Sequence, residues 1–224
     1  MNIAEKIEAF KKEDIPSSVK LIAVSKTKPA EDILEAYNGG HKIFGENKVQ
    51  ELVPKYEELP KDIEWHMIGH LQSNKVKYIA PFVHLIHGVD KPKLVKVVNK
   101  EAEKNNRVID ILLQFHIARE ETKYGFELEE AKTFLNSPEF GEYNSVRIRG
   151  VMGMATFTED MEKVRCEFKE LYQIFNHLKE QFFADSDYFS EISMGMSNDY
   201  KVAVEEGATM VRIGSILFGK RNYH

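Results

Sequence analysis

Short β-rich runs alternate with helical patterns along the whole chain, and this alternation constrains the fold more than any other feature. The predicted strands are Leu21–Ser25, Lys42–Phe44, Glu64–Ile68, His84–His87, Val108–Phe115, Val146–Met152, Tyr188–Ile192 and Met210–Ile213. The predicted helices are Ala30–Tyr37, Lys48–Glu58, Asn74–Ala80, Lys91–Asn105, Leu128–Leu135, Glu162–Gln181 and Asp199–Glu206. Eight strands, each followed by a helix or a helix-sized gap, are typical of a closed parallel (β/α)₈ barrel, a TIM barrel.

The length of 224 residues suits a single barrel domain that covers residues 1–224. A doubly wound open sheet is the alternative, but that fold normally carries a glycine-rich turn after its first strand. Here the first strand runs into Ser25–Pro29, a stretch without glycine. No low-complexity linker marks a domain boundary, and the turn-rich stretch Asn136–Ser145 is predicted to be a surface loop.

Composition limits the partners and the compartment. The net charge is −5 with both signs interspersed, which disfavours a nucleic-acid-binding surface. The N-terminal segment is predicted to form an amphipathic helix, with Ile3, Ile7 and Phe10 on one face, rather than a secretory signal. Cys166 is the single cysteine, so an intramolecular disulfide is excluded and a reducing compartment is favoured. We expect a cytoplasmic monomer with no membrane partner, in which Cys166 is a buried or partly exposed structural thiol.

Lys26 follows the first predicted strand directly. In a barrel the residues after the strands build the site, and a lysine held there can act as a nucleophile towards a carbonyl group. A solvated lysine at a strand end is the commoner case, and Lys28 stands two residues away. The position of Lys26 alone therefore leaves both interpretations open.

Two loops near the end of the chain have the composition of a phosphate site. Ser193–Asp199 follows the seventh predicted strand, and Gly214 and Ser215 follow the eighth. Barrels often bind phosphate between these loops, because glycine lets backbone N–H groups approach an anion closely. Ser197 is predicted to cap the next helix. Ordinary turn and capping chemistry is the alternative, and Arg212 at the end of strand eight needs an acceptor in either case.

His66 and His70 are four residues apart, a spacing that raises the question of a metal site. On a strand that runs into a loop they do not share a helical face, and no third cysteine, histidine or carboxylate ligand is spaced nearby. We therefore predict that these histidines bind no metal. Gly45–Asn47 and Met152–Met154 are predicted to follow strands two and six, and thus to lie on the rim of the barrel.

Five motifs, in the order AVSKTKP, FGENKVQE, WHMIGHLQSNK, SMGMSND and VRIGSILFG, closely resemble those of the pyridoxal phosphate homeostasis protein family. Members of that family look like the barrel domain of alanine racemases. The resemblance covers essentially the whole chain. It implies a barrel that binds pyridoxal 5′-phosphate covalently, as a Schiff base on Lys26 in VSKTKP.

The resemblance also assigns the other cofactor contacts. Arg212 in VRIGS matches an arginine that donates to the pyridine nitrogen. Gly214 and Ser215 match the phosphate loop after strand eight, while Ser197 and the backbone near Met196 match the phosphate contacts after strand seven. The resemblance places Asn47 in GEN beside the cofactor and assigns His70 no part in the site.

The resemblance favours a carrier or buffer of pyridoxal phosphate, acting in intracellular homeostasis without catalytic turnover, with apoenzymes that require the cofactor as candidate recipients. A racemase of the related kind needs a tyrosine base from a separate β-domain, and the chain ends at Tyr223–His224 soon after the last strand. Tyr78 and Tyr124 are expected to have packing or surface roles. The alternatives are an amino-acid racemase that uses another base and a Schiff-base aldolase that acts on a phosphorylated sugar.

Overall fold

The computed structural model describes residues 1–118 and 124–219, and its eight parallel strands close into a barrel in chain order. The strands are β1 (Lys20–Val24), β2 (Ile43–Glu46), β3 (Glu64–Met67), β4 (Leu85–Val89), β5 (Ile109–Gln114), β6 (Val146–Met152), β7 (Glu191–Met196) and β8 (Met210–Ile213). Hydrogen bonds between β8 and β1 complete the closure, with Lys20 opposite Met210 and Ala23 opposite Ile213. The predicted (β/α)₈ barrel is confirmed, whereas the extent of the domain over residues 1–224 stays a prediction.

Helices cover the outside of the barrel. They are α1 (Ile3–Glu13), α2 (Ala30–Asn38), α3 (Val49–Glu58), α4 (Val76–Ile79), α5 (Pro92–Lys104), α6 (Leu128–Leu135), α7 (Pro138–Gly141), α8 (Met161–Phe182), α9 (Tyr200–Glu205) and α10 (Ser215–Phe218). The predicted amphipathic N-terminal helix is α1, which buries Ile7 and Phe10 and begins with a capping box between Asn2 and Glu5. Within the described ranges, no helix combines the length and the apolar character that a bilayer crossing requires.

The seventh strand was predicted with wrong bounds. The β-favouring residues Tyr188 and Phe189 suggested a strand over Tyr188–Ile192, but pairing with β6 begins only at Glu191 and β7 runs on to Met196. Phe189 instead stacks on Phe183, with ring centroids 4.2 Å apart, outside the strand. The shift places Ser193 inside the barrel wall rather than in a loop.

Three smaller predictions were also wrong. Asn136–Ser145 is not all loop, since Ser137 caps a short helix, α7, within it. Cys166 lies exposed on α8 rather than buried or half-buried. Gly45 and Glu46 belong to β2 instead of following it.

Two apolar layers hold the barrel together. Along β3, Trp65 and Met67 face outward and pack in the large core between strands and helices. Residues of the opposite parity face the axis, where a second cluster fills the interior. Its buried members are Ile22, Val24, Ile68, Leu85, Leu112, Met152 and Met210.

Charged side chains close the amino-terminal end of the barrel, opposite the end where barrel enzymes place their sites. Lys20 pairs with Glu191, while Arg147 and Arg149 both bind the carboxylate of Asp110, with Nε–Oδ1 and Nη1–Oδ2 distances of 2.7 and 3.0 Å. We call this end, with these five residues, the barrel floor. The opposite end, at the carboxyl ends of the strands, is the barrel mouth.

Candidate functional site

A cavity of about 470 Å³ opens at the carboxyl ends of the strands, a size typical of small-ligand sites. It brings together all seven residues that the sequence nominated for the cofactor, from the loops after β1 and β2 and from the last two strands with their loops. These residues are Lys26, Asn47, Met196, Ser197, Arg212, Gly214 and Ser215. Their convergence is a property of the barrel, while their contact with a cofactor stays a prediction.

Lys26 and Lys28 both line the cavity. Lys28 Nζ donates to the carbonyl oxygen of Phe218 at 2.7 Å and so ties the first loop to the end of α10. Between the two lysines, Thr27 has a φ of +63°, an uncommon and strained conformation for a β-branched residue. Its N–H donates to Glu51 Oε2 at 2.7 Å. The loop that presents Lys26 is therefore anchored to α3 and to the end of α10.

A buried ion pair stabilises the end of β1 just before Lys26. Lys55 Nζ lies 2.6 Å from Glu46 Oε1 and 2.9 Å from the carbonyl oxygen of Ser25. The hydroxyl of Ser25 donates to the same Glu46 oxygen at 2.6 Å. Burial raises the pKa of Glu46, and the nearby Lys55 ammonium opposes that shift. These contacts were not predicted, because Ser25 follows β1 while Glu46 lies in β2 and Lys55 in α3.

Arg212 is buried in the barrel wall and faces the cavity. Its guanidinium donates to Ser193 Oγ at 2.6 Å and to the carbonyl oxygen of Gly153 at 3.1 Å. Burial lowers the pKa of Arg212 to about 10, and the Asp199 carboxylate opposes this, so the guanidinium stays charged at neutral pH. Both hydrogen-bond acceptors are neutral, and the guanidinium lines the cavity together with the Asp199 carboxylate.

A hydrogen-bonded chain continues from Arg212 through the barrel interior. His87 Nδ1 lies 2.8 Å from Ser193 Oγ, and His87 Nε2 lies 2.9 Å from His66 Nδ1. Burial lowers the pKa of both histidines well below the usual value, so both imidazoles are neutral. The sequence did not predict this series of hydrogen bonds, because His87 and Ser193 are 106 residues apart.

The loops after β7 and β8 meet beside Arg212. The backbone N–H of Gly214 donates to Ser197 Oγ at 3.4 Å. The prediction that Ser197 caps the next helix was wrong: the residue before α9 is Asp199, whose carboxylate accepts from the N–H of Met196 at 2.6 Å. Ser197 therefore presents its hydroxyl to the cavity and the β8 loop rather than to a helix end.

Asn47 reaches the site because two backbones approach closely. A Cβ atom on Gly69 would lie 2.4 Å from the carbonyl oxygen of Asn47, so no side chain fits at position 69. Glycine there lets the loop after β3 pack directly on the loop after β2. This contact explains why the motif WHMIGHLQSNK has glycine at position 69.

Three residues of the cavity wall were not among the predicted cofactor contacts: His70 and Tyr124, which were given no role in the site, and Gln114, which was not considered. The ring of His70 stacks on Tyr124 with centroids 4.3 Å apart, and His70 Nδ1 lies 3.3 Å from Asp90 Oδ2. Gln114 Nε2 donates to the carbonyl oxygen of Tyr124 at 2.8 Å. Tyr124 lines the cavity and is 58% exposed, and Tyr78 is exposed beside lysines, so both tyrosines have the expected surface positions. No motif marks Tyr124, which lies ten residues after the end of β5.

Comparison with known proteins decides the family. The profile of the family "Alanine racemase, N-terminal domain" matches residues 1–222. A pyridoxal phosphate homeostasis protein of Aquifex aeolicus is 44% identical over 209 residues, which cover 91% of this chain and 88% of the relative. The chain belongs to the pyridoxal phosphate homeostasis protein family. A member from Haemophilus influenzae is 37% identical over 99% of this chain and 94% of its own length.

Solved structures agree with this family. PipY of Synechococcus elongatus, determined with pyridoxal phosphate bound, has a TM-score of 0.88 and 35% identity over 97% of this chain and all of that chain. Its structure without pyridoxal phosphate has a TM-score of 0.90. An alanine racemase of Bartonella henselae shares only the fold, with 13% identity and a TM-score of 0.70, and this chain spans 58% of its length.

Proposed function

We propose that this chain binds pyridoxal 5′-phosphate in the mouth cavity, covalently, as a Schiff base on Lys26. The observation that carries the proposal is the convergence of an amine, a buried guanidinium and two hydroxyl-bearing loops on one cavity. This set matches the aldehyde, the ring and the phosphate of a single elongated ligand. PipY, a relative with 35% identity, has a structure with pyridoxal phosphate bound, which supports the choice of cofactor.

Arg212 suits the ring of this cofactor. Bound pyridoxal phosphate supplies an electron-accepting ring, which works best when its nitrogen is protonated through a carboxylate partner. Arginine donates and never accepts hydrogen bonds, so Arg212 facing the ring nitrogen would leave that nitrogen without a proton. Because a ring without that proton accepts electrons less readily, this contact favours binding of the cofactor over catalysis with it.

Ser197, Gly214 and Ser215 suit the phosphate. Both hydroxyls line the cavity, and Gly214 already brings the β8 loop within hydrogen-bonding distance of Ser197. Glycine at this point lets backbone N–H groups approach an anion. Met196 contributes through its backbone, which the Asp199 carboxylate fixes in place.

The biological role that we propose is storage or delivery of pyridoxal phosphate by a cytoplasmic monomer, without turnover. Support comes from the names of relatives with 44% and 37% identity, which denote homeostasis rather than a reaction. Apoenzymes that need the cofactor are the proposed recipients.

The function is tested by saturating the purified protein with pyridoxal phosphate, reducing it with borohydride and mapping the modified peptide. We expect one cofactor per chain, fixed on the peptide that contains Lys26. A protein that remains colourless after saturation, or a cofactor fixed mainly on other lysines, would overturn the proposal.

We expect Ser215→Ala to weaken the binding of pyridoxal phosphate about tenfold to hundredfold, because a hydrogen bond to a charged group contributes about 1.5–3 kcal/mol. Equilibrium dialysis measures the change. Ser190→Ala is the matched control, since the Ser190 hydroxyl lies outside the cavity near the carbonyl oxygen of Tyr188. Equal affinity in the wild type and Ser215→Ala would remove Ser215 from the site.

A racemase is the second candidate function, because Tyr124 lines the cavity and carries a phenol, a group that can serve as a base. The test is exchange of the Cα hydrogen of added amino acids with deuterated solvent. Under our proposal, exchange does not exceed that of free cofactor. Faster exchange that is lost in both Lys26→Ala and Tyr124→Phe would establish the enzyme instead.

A further inference from the structure

At the amino-terminal end of the barrel, Glu64, His66 and His84 form a cluster that the cofactor site does not use. One potential ligand atom of each residue lies within 4.8 Å of the others. Glu64 Oε2 and His84 Nε2 are 3.5 Å apart. The expectation that no third ligand stands near His66 was wrong, because His84 comes from the loop before β4, 18 residues further along the chain, and the barrel brings it alongside.

A second observation points to a ligand at this cluster. His66 is 2% exposed, and its Nε2 atom has no hydrogen-bond partner among the described residues. Its Nδ1 atom is engaged by His87, so Nε2 is the nitrogen that is left to bind an ion together with Glu64 and His84. An unpaired buried polar atom costs free energy, and a bound cation would remove that cost.

We propose that Glu64, His66 and His84 bind one divalent transition metal ion, for which Zn²⁺ is the best match. Two imidazoles and one carboxylate are a common set of zinc ligands, with a water completing the tetrahedron. Glu64 and His84 have exposed side chains, so the ion has a route from solvent. Lys20, a cation whose charge acts on His66, is already paired with Glu191.

The geometry needs only a local adjustment. Ligand atoms around a tetrahedral zinc ion are about 3.3 Å apart, given bond lengths of about 2.0–2.1 Å. The His66 and His84 rings are parallel within 3°, with centroids 5.4 Å apart, so one ring must turn for both nitrogens to reach one ion. His84 is exposed and free of regular structure, which allows that turn.

The buried hydrogen bonds from His66 through His87 to Ser193 supply the outer-shell contacts that metal-binding histidines require. A metal on His66 Nε2 keeps the proton on Nδ1, which donates to His87 Nε2. His87 then carries its proton on Nδ1 and donates to Ser193 Oγ, the atom that also accepts from Arg212. A metal ion at this cluster therefore selects one tautomer for both histidines in the series of hydrogen bonds that ends at the mouth cavity.

The test is calorimetric titration of the full-length protein with ZnCl₂, together with the visible spectrum of the Co²⁺ form. We expect one ion per chain. Loss of an outer-shell partner costs about tenfold to hundredfold in affinity, so His84→Ala, Glu64→Gln and His66→Phe should each weaken binding at least about tenfold. His177→Gln, which removes an imidazole on α8 in a separate surface pocket, should leave the affinity unchanged.

Two outcomes would overturn the site: no stoichiometric binding by the wild type, or binding that His84→Ala and Glu64→Gln leave intact. Equal loss in His177→Gln would mean nonspecific binding and would also overturn it. Both His84 and Glu64 are surface residues, so these variants keep the test valid even if His66→Phe fails to fold. Imidazole nitrogen NMR gives an independent measurement, since zinc should fix the Nδ1 protons of His66 and His87.

Discussion

Lys26→Ala is expected to abolish covalent attachment of pyridoxal phosphate completely while leaving reversible binding in place. Alanine has no amine, so borohydride can fix nothing at position 26, and the visible absorption that depends on the imine should be absent. The phosphate loops and Arg212 do not depend on Lys26 for their contacts with one another. Equilibrium dialysis should therefore still detect the cofactor, with reduced affinity.

Lys28→Ala is the matched control for that result. It removes the same kind of side chain two residues away, also from the cavity wall, where Lys28 Nζ donates to the carbonyl oxygen of Phe218. We expect it to keep one borohydride-fixed cofactor per chain. If Lys28→Ala loses the fixed cofactor and Lys26→Ala retains it, the assignment of the two lysines is reversed. If both variants retain it, the Schiff base does not form in this loop.

The fold could be predicted because barrel strands and helices are local patterns. β6 and β8 have the predicted bounds, and Leu128–Leu135 was predicted to the residue. The failure at β7 has a physical cause: Phe189 and Tyr188 favour strands, but packing of Phe189 on Phe183 takes them out of the sheet. The strand instead extends through Gly195, which has a φ of +91°.

The site could be predicted only in part, for a similar reason. Lys26, Arg212 and the loop residues follow strands directly, so the barrel itself places them at the mouth. The supporting contacts pair residues that are far apart in the chain, such as His87 with Ser193 and Arg212 with Gly153. No spacing rule on a single strand reveals these pairs, because they depend on which side chains face the axis at the same height.

The buried pair beneath Lys26 gives the second large effect. Lys55→Met is expected to lower the free energy of unfolding by about 3–5 kcal/mol near pH 7, because it leaves a buried carboxylate without its cation. Glu46 is fully buried and Lys55 nearly so. Urea denaturation measures the change. Lys42→Met is the matched control, since the Lys42–Asp62 pair is half-exposed and contributes little.

The loss in Lys55→Met should depend on pH with a defined sign. Burial raises the pKa of Glu46, and removing Lys55 removes the charge that opposes this shift. A carboxyl whose pKa is higher in the folded state binds its proton more tightly there, so stability is favoured at low pH and falls as pH rises through the folded-state pKa. The deficit should therefore be smaller at about pH 5 than at about pH 7.

Adding Glu46→Gln to Lys55→Met should recover most of the lost stability at about pH 7, because the uncompensated charge is then gone. Recovery of stability need not restore the site. Lys55 also holds the carbonyl oxygen of Ser25, the residue before Lys26, so the double variant should fold yet fix less cofactor with borohydride. A double variant that is as unstable as Lys55→Met would show that Lys55 acts through packing rather than through the charge of Glu46.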